Sequence, residues 1–100
     1  MATYISLTNF TDQGIRSIKD TTKRADAVRE MAKKFGVSVK DIFWTLGKYD
    51  LVAIFESPDD VSITAFGLAL GSAGNVRTQT LRAFAQDEMN KVLGKMEKAK

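Results

Sequence analysis

The order of strand-like and helix-like stretches predicts an α+β chain: a ferredoxin-like βαββαβ plait with an additional C-terminal helix, forming a single domain over residues 1–100. Three observations carry that prediction. Within residues 41–58, two apolar runs meet across Gly47-Lys48, the pattern of a β-hairpin. Apolar residues at three- and four-residue spacing precede the hairpin, and a helix-length stretch without charge follows it. Strand patterns stand outside both helices, at residues 3–10 and 76–84.

In chain order, residues 3–10 alternate Tyr4, Ser6, Thr8 and Phe10 against Thr3, Ile5, Leu7 and Asn9, as a strand does. Thr11-Asp12 reads as a helix cap. A short turn through Ile15 and Ile18 halts near Asp20, Thr21 and Thr22, whose side chains are suited to cap a longer helix. In that helix Ala25, Val28, Met31, Ala32 and Phe35 form one apolar face, and Gly36 ends it as a C′ residue.

Gly47 and Lys48 match the central pair of a type II′ turn, where glycine accepts the positive φ of the first position. Leu46 then faces Tyr49, Thr45 faces Asp50, Trp44 faces Leu51, Phe43 faces Val52 and Ile42 faces Ala53. One side of the pair carries Ile42, Trp44, Leu46, Tyr49, Leu51, Ala53 and Phe55; the other carries Phe43, Val52 and Ile54, with Asp41, Thr45, Asp50 and Glu56 towards the ends. A sheet with one wet face alternates apolar and polar residues, so two apolar sides call for cover on both. Helices supply one cover and a partner the other.

Pro58-Asp59-Asp60 begins the next helix, with the proline in its first turn and carboxylates at the positive end of the dipole. Residues 61–76 hold no charge, which implies burial on more than one side. Gly67, Gly71 and Gly74 fall on one stripe, and close packing on the sheet is the expected use; the stretch is too short for a membrane span. Residues 76–84 form the fourth strand. From Gln86 a helix carries Met89, Val92, Leu93 and Met96 as a stripe, with Asp87 and Glu88 early and Lys91, Lys95, Lys98 and Lys100 late.

Composition removes several chemistries. The chain has no cysteine and no histidine, so disulfides, thiolate metal sites, imidazole bases and the Ser-His-Asp triad are out of reach. No metal or cofactor is expected. The start MATYISLTNF lacks the basic segment and long apolar run of a signal peptide, which makes a cytoplasmic location the expectation. Net charge is +3, but Asp20, Asp26 and Glu30 interrupt the basic run from Arg16 to Lys34 and no aromatic residues interleave, so it reads as a solvated helix face and not as a nucleic-acid site.

The run Gly47-x-Tyr49-Asp50, followed by Leu51-Val52-Ala53-Ile54 and Pro58-Asp59-Asp60, resembles the GYD domain. Gly74-Asn75-Val76-Arg77-Thr78 with Thr80-Leu81-Arg82-Ala83-Phe84 is similar to that family's closing strand, and Phe10-Thr11-Asp12-Gln13-Gly14-Ile15 to its opening. The likeness spans nearly the whole chain; one departure is Thr22, where relatives often carry proline. It implies a dimeric α/β-barrel fold and a homodimer or higher assembly, and it implies no activity.

Among residues able to carry chemistry, Tyr49 and Asp50 sit beside the turn, where Asp50 can bond Thr45 across the strands and Tyr49 can lie over Leu46. Arg77 and Arg82, with Asn9, Thr8 and Tyr4 on the neighbouring strand, are candidates for a half-polar pocket for an anion or a phenol, or for pairing with a carboxylate of the fold. Trp44 is expected in the core or an interface. Gly71-Ser72-Ala73-Gly74 lacks the Lys-Ser/Thr of a phosphate loop. The reading is an oligomeric module that binds a small molecule or a protein without catalysis. The alternative is a cofactor-independent oxygenase or isomerase with its pocket on the open sheet face.

Overall fold

A computed structural model describes residues 1–99 and orders them as β1 (Ala2–Phe10), α1 (Asp12–Arg16), a 3-10 turn (Ile18–Asp20), α2 (Thr21–Lys34), β2 (Ser38–Trp44), β3 (Leu51–Ser57), α3 (Asp60–Ser72), β4 (Val76–Ala83) and α4 (Gln86–Lys98). The four strands form one antiparallel sheet in the order β2-β3-β1-β4, which is the ferredoxin-like arrangement. Lys100 of the expected basic tail lies outside the described residues.

Alternation along β1 decides which side is covered. Tyr4, Ser6 and Thr8 are buried, whereas Ile5 and Leu7 between them are only half-buried. On the buried side Tyr4, Ala53 and Phe55 of the sheet pack with Ala32, Ile63 and Phe66 of α2 and α3 and with Val37. Phe66 sits edge-on to Phe55 at 5.5 Å and tilted against Phe35 at 5.9 Å, the spacing at which ring edges and faces attract. Burying a side chain such as Phe66 contributes about 1.5–3 kcal/mol.

Helix ends follow their sequence signals, with two corrections. Thr11 caps α1, its hydroxyl accepting from the Gly14 N–H at 3.1 Å. α2 closes in a Schellman motif: Gly36 has φ +74°, its N–H reaches the Lys33 carbonyl, and the Val37 N–H reaches Ala32. At the start of α2, however, Asp20 makes no side-chain cap; the 3-10 turn runs directly into the helix, and the Thr21 N–H bonds the Ile18 carbonyl. At α3 the cap is Asp59, bonded to the Ser62 N–H at 2.7 Å, which leaves Pro58 before the helix and not in its first turn.

The hairpin keeps the expected register, with Ile42 opposite Ala53, Phe43 opposite Val52 and Trp44 opposite Leu51. Its turn is wider than the two-residue form. The closing bonds run from Thr45 N–H to the Asp50 carbonyl and from the Thr45 hydroxyl to the Tyr49 carbonyl, so the hydroxyl occupies the carbonyl a tight turn would pair with Leu46. Gly47 has positive φ, +107°, and Leu46 projects wholly into solvent, which removes the expected Tyr49–Leu46 contact. A bulge between Val39 and Asp41 returns Lys40 to the Glu56 side, where the two pair at 3.2 Å.

α3 departs from the expected two-sided burial. Ile63 and Phe66 are buried, but Val61 and Leu68 are 79% and 70% exposed. A methyl added at Gly67 or Gly71 meets no atom within 4 Å, so that stripe is not a close-packing seam within the chain. α4 buries no residue, and the radius of gyration of 15.4 Å exceeds the ~13 Å of a compact chain this long, because α4 extends from the body.

Candidate functional site

The core is tight at one end and open at the other. Where Phe35, Phe55 and Phe66 meet, large rings fill the space; towards the end of β1 the facing side chains are Ser6, Thr8, Ala25, Ala53 and Thr78. Those small groups cannot bridge the gap between sheet and helices, and a cavity of about 80 Å³ remains. Val28, Ile42, Leu51 and Leu70 complete its apolar wall. Ser6 and Thr8, 2% and 6% exposed, form its polar floor with their hydroxyl oxygens 3.1 Å apart.

Trp44, Thr21, Arg24 and Phe10 stand at the other margin. The Trp44 indole N–H donates to the Thr21 hydroxyl at 3.0 Å, tying β2 to the first residue of α2. Arg24 donates to the Gly14 carbonyl at 3.0 Å, and its guanidinium carbon lies 6.0 Å from the centre of the Phe10 ring. Among the described residues the ion pairs join Asp26 to Arg29, Glu30 to Lys33, Lys40 to Glu56 and Glu88 to Arg82; Arg24 is in none of them.

The residues singled out in the sequence do not converge. Thr8 and Trp44 line the cavity, and Tyr4 and Arg82 lie on the same covered face but beyond it. The Tyr4 hydroxyl donates to Asp60, a bond that raises the phenol above its ordinary value, with burial adding to the effect; Tyr4 is held neutral and is no base. Arg82 is held by Glu88 at 3.0 Å and stacks 4.4 Å from the centre of Phe84. Arg82 and the Ala85 N–H keep the Glu88 carboxyl below the usual carboxylate range.

Asn9 and Arg77 are paired on the opposite, open face. Tyr49 reaches that face too, its hydroxyl 3.2 Å from Gln79, although strict alternation placed it with Leu51. Asp50 meets Thr45 across the strands through its backbone carbonyl, which accepts the Thr45 N–H, whereas its carboxylate accepts from the Phe10 N–H at 2.9 Å and its own N–H donates to the Thr8 carbonyl. Asp50 thereby extends the β1 to β3 ladder beyond the strand ends. The half-polar pocket expected from Arg77 and Arg82 is thus split between two faces, since positions five apart on a strand point oppositely.

The open face also carries Ile5, Leu7, Phe43, Val52, Ile54 and Leu81. Phe43 and Leu81 are 51% and 41% exposed. The half-open cavity lies on the other side of the sheet from this face, and its lining includes hydroxyls and one arginine but no carboxylate, lysine or phenol.

Residues 4–93 match the GYD domain. The chain belongs to that family. A protein of Thermus thermophilus named glutamine synthetase and cystathionine beta-lyase binding protein is 36% identical over 84 residues, covering 83% of this chain and 88% of the relative. In this GYD domain the residues that suggested the family mostly brace one end of the sheet. Asp50 pins the end of β1, while the opening and closing segments clasp each other: the Thr11 N–H donates to Asn75, the Thr11 hydroxyl to Gly74, and the Gln13 amide to Ala73 and Asn75. Gly14 lies where a Cβ would stand 2.1 Å from the Asn75 carbonyl oxygen. Nothing local in the sequence signals that need, because the approaching backbone comes from the far end of the chain.

Proposed function

We propose that this GYD domain, taken as one unit over residues 1–100, is a non-catalytic binding module of the cytoplasm that self-associates as a dimer or higher and docks a protein partner. The observation that carries the reading is the open sheet face, where Ile5, Leu7, Phe43, Val52, Ile54 and Leu81 gather on the side away from the core of α2 and α3. Contiguous apolar surface of this kind marks interaction sites. A second copy suits the sheet, because a two-fold contact requires a self-complementary surface and the apolar residues of the central strands can meet their own copies, with Asp41 and Arg77 towards the margins.

Protein docking then falls to the surfaces left over, above all α4, whose Met89, Val92, Leu93 and Met96 are exposed on a helix that stands off the body. An amphipathic helix with such a stripe fits a partner groove. The Thermus relative is named for binding two enzymes, which supports enzymes as partners here. Sedimentation equilibrium of the purified chain, followed by titration with purified glutamine synthetase and cystathionine beta-lyase, tests the reading. A dimer that binds at least one enzyme is expected; a monomer at micromolar concentration that binds neither overturns it.

A further inference from the structure

We propose that the cavity between the sheet and α2 binds a short aliphatic carboxylate, with the carboxylate at Arg24 and Thr21 and the hydrocarbon body over Ser6 and Thr8. The proposal rests on the preceding reading only in treating the chain as a binder and not a catalyst, and it needs neither a dimer nor a protein partner. Four features of the cavity select the ligand class.

The first is charge. Arg24 uses one guanidinium N–H on the Gly14 carbonyl and lies over Phe10, and no carboxylate of the described residues pairs with it, so its other donors are open to an anion. The second is the neighbouring hydroxyl. Thr21 accepts from Trp44, which leaves its own O–H to donate. Both residues belong to the first turn of α2, which contains no acid, with Asp20 preceding it as the N-cap.

The third is the wall. Val28, Ile42, Leu51, Ala53 and Leu70 favour hydrocarbon over a fully hydrated anion such as inorganic phosphate. The Ser6 and Thr8 hydroxyls share one hydrogen bond, so each buried oxygen keeps a partner beneath an aliphatic body. The fourth is size. A volume of about 80 Å³ is several times the roughly 10–15 Å³ that admits one water, which gives room for a small guest.

Trp44 is the chain's one tryptophan and stands at the cavity margin, so its fluorescence reports occupancy. The test titrates the purified chain with the linear carboxylates from acetate to octanoate, with the matching alcohols, and with inorganic phosphate. A saturable change for carboxylates is expected, tightest at intermediate chain length, with the alcohols and phosphate at least about tenfold weaker, the factor a charge-assisted hydrogen bond provides. Arg24→Gln should weaken the best carboxylate by a similar factor, Arg24→Lys by less, and Ala25→Leu should abolish binding by filling the space. Each variant is first shown folded by circular dichroism. Equal affinity for alcohol and carboxylate, phosphate binding as well as the best carboxylate, or no saturable change overturns the proposal, and these ligand comparisons on the unmodified chain decide it even if a variant fails to fold.

Discussion

Gly14 shows how a single hydrogen can be demanded by the far end of a chain. Alanine is favoured over glycine within a helix by about 1 kcal/mol, but here its Cβ would stand 2.1 Å from a carbonyl oxygen held by the Thr11–Asn75 bond. Overpacking against backbone costs about 1–3 kcal/mol, so Gly14→Ala is expected to lower the urea midpoint, with the clash outweighing the helix gain. Asp50 offers a second test. Its carboxylate accepts from the Phe10 N–H, a bond an amide oxygen can still accept; Asp50→Asn should therefore cost at most about 1 kcal/mol and Asp50→Leu about 1–3 kcal/mol, because the leucine leaves a half-buried donor unpaired. Equal midpoints for the two variants would contradict that role. A structural part for Asp50 was legible from its place beside the turn, but its partner was not: the nearby hydroxyl of Thr45 finds the Tyr49 carbonyl, and the carboxylate turns to β1.

Helices and strands were legible to different depths. The register of β2 on β3 followed from centring the turn on Gly47-Lys48, and alternation then sorted the faces, since a one-residue slip would exchange every core side chain for an outward one. The cavity was not legible, because it arises from small residues on several elements that meet only in the fold. The uncharged α3 misled for a related reason: lack of charge records a surface that avoids water, and a single chain covers only the Ile63 and Phe66 side. Its N-terminus carries a pH prediction. The Ser62 amide and hydroxyl hold the Asp59 carboxyl below its ordinary value, so the cap contributes stability above the unfolded carboxylate value and loses it as pH falls through the lower folded one. The Tyr4 phenol is raised, so its contribution is complete below its unfolded value and is lost as pH rises through the folded one. Melting against pH should show both limbs, with Asp59→Ala flattening the acid limb and Tyr4→Phe the alkaline one.

The assembled chain presents two unlike sides of one sheet, a closed side holding the cavity and an open side whose strands expose apolar groups. Surface area decides how the open side must be managed. A chain of 100 residues buries a smaller share of its surface than a larger domain, and burial against a second copy is a common supplement where disulfides and metals are absent. If a second copy covers this face, a charge at its centre has a specific consequence. Ile54 lies on β3 between β1 and β2, opposite Ile5 and Asp41, and it points away from the core of Phe55 and Phe66. Ile54→Lys should therefore leave the helix-covered core intact while placing two ammonium groups in a desolvated two-fold contact, where like charges cost several kcal/mol. The expected outcome is a monomer by sedimentation with an unchanged far-ultraviolet spectrum and a melting temperature that no longer rises with protein concentration, since mass action stabilises only the associating form. Phe43→Lys, near the edge of the same face, should loosen the dimer less. A variant at Ile54 that remains dimeric while keeping its fold would place the contact elsewhere, with the exposed stripe of α4 the next surface to substitute.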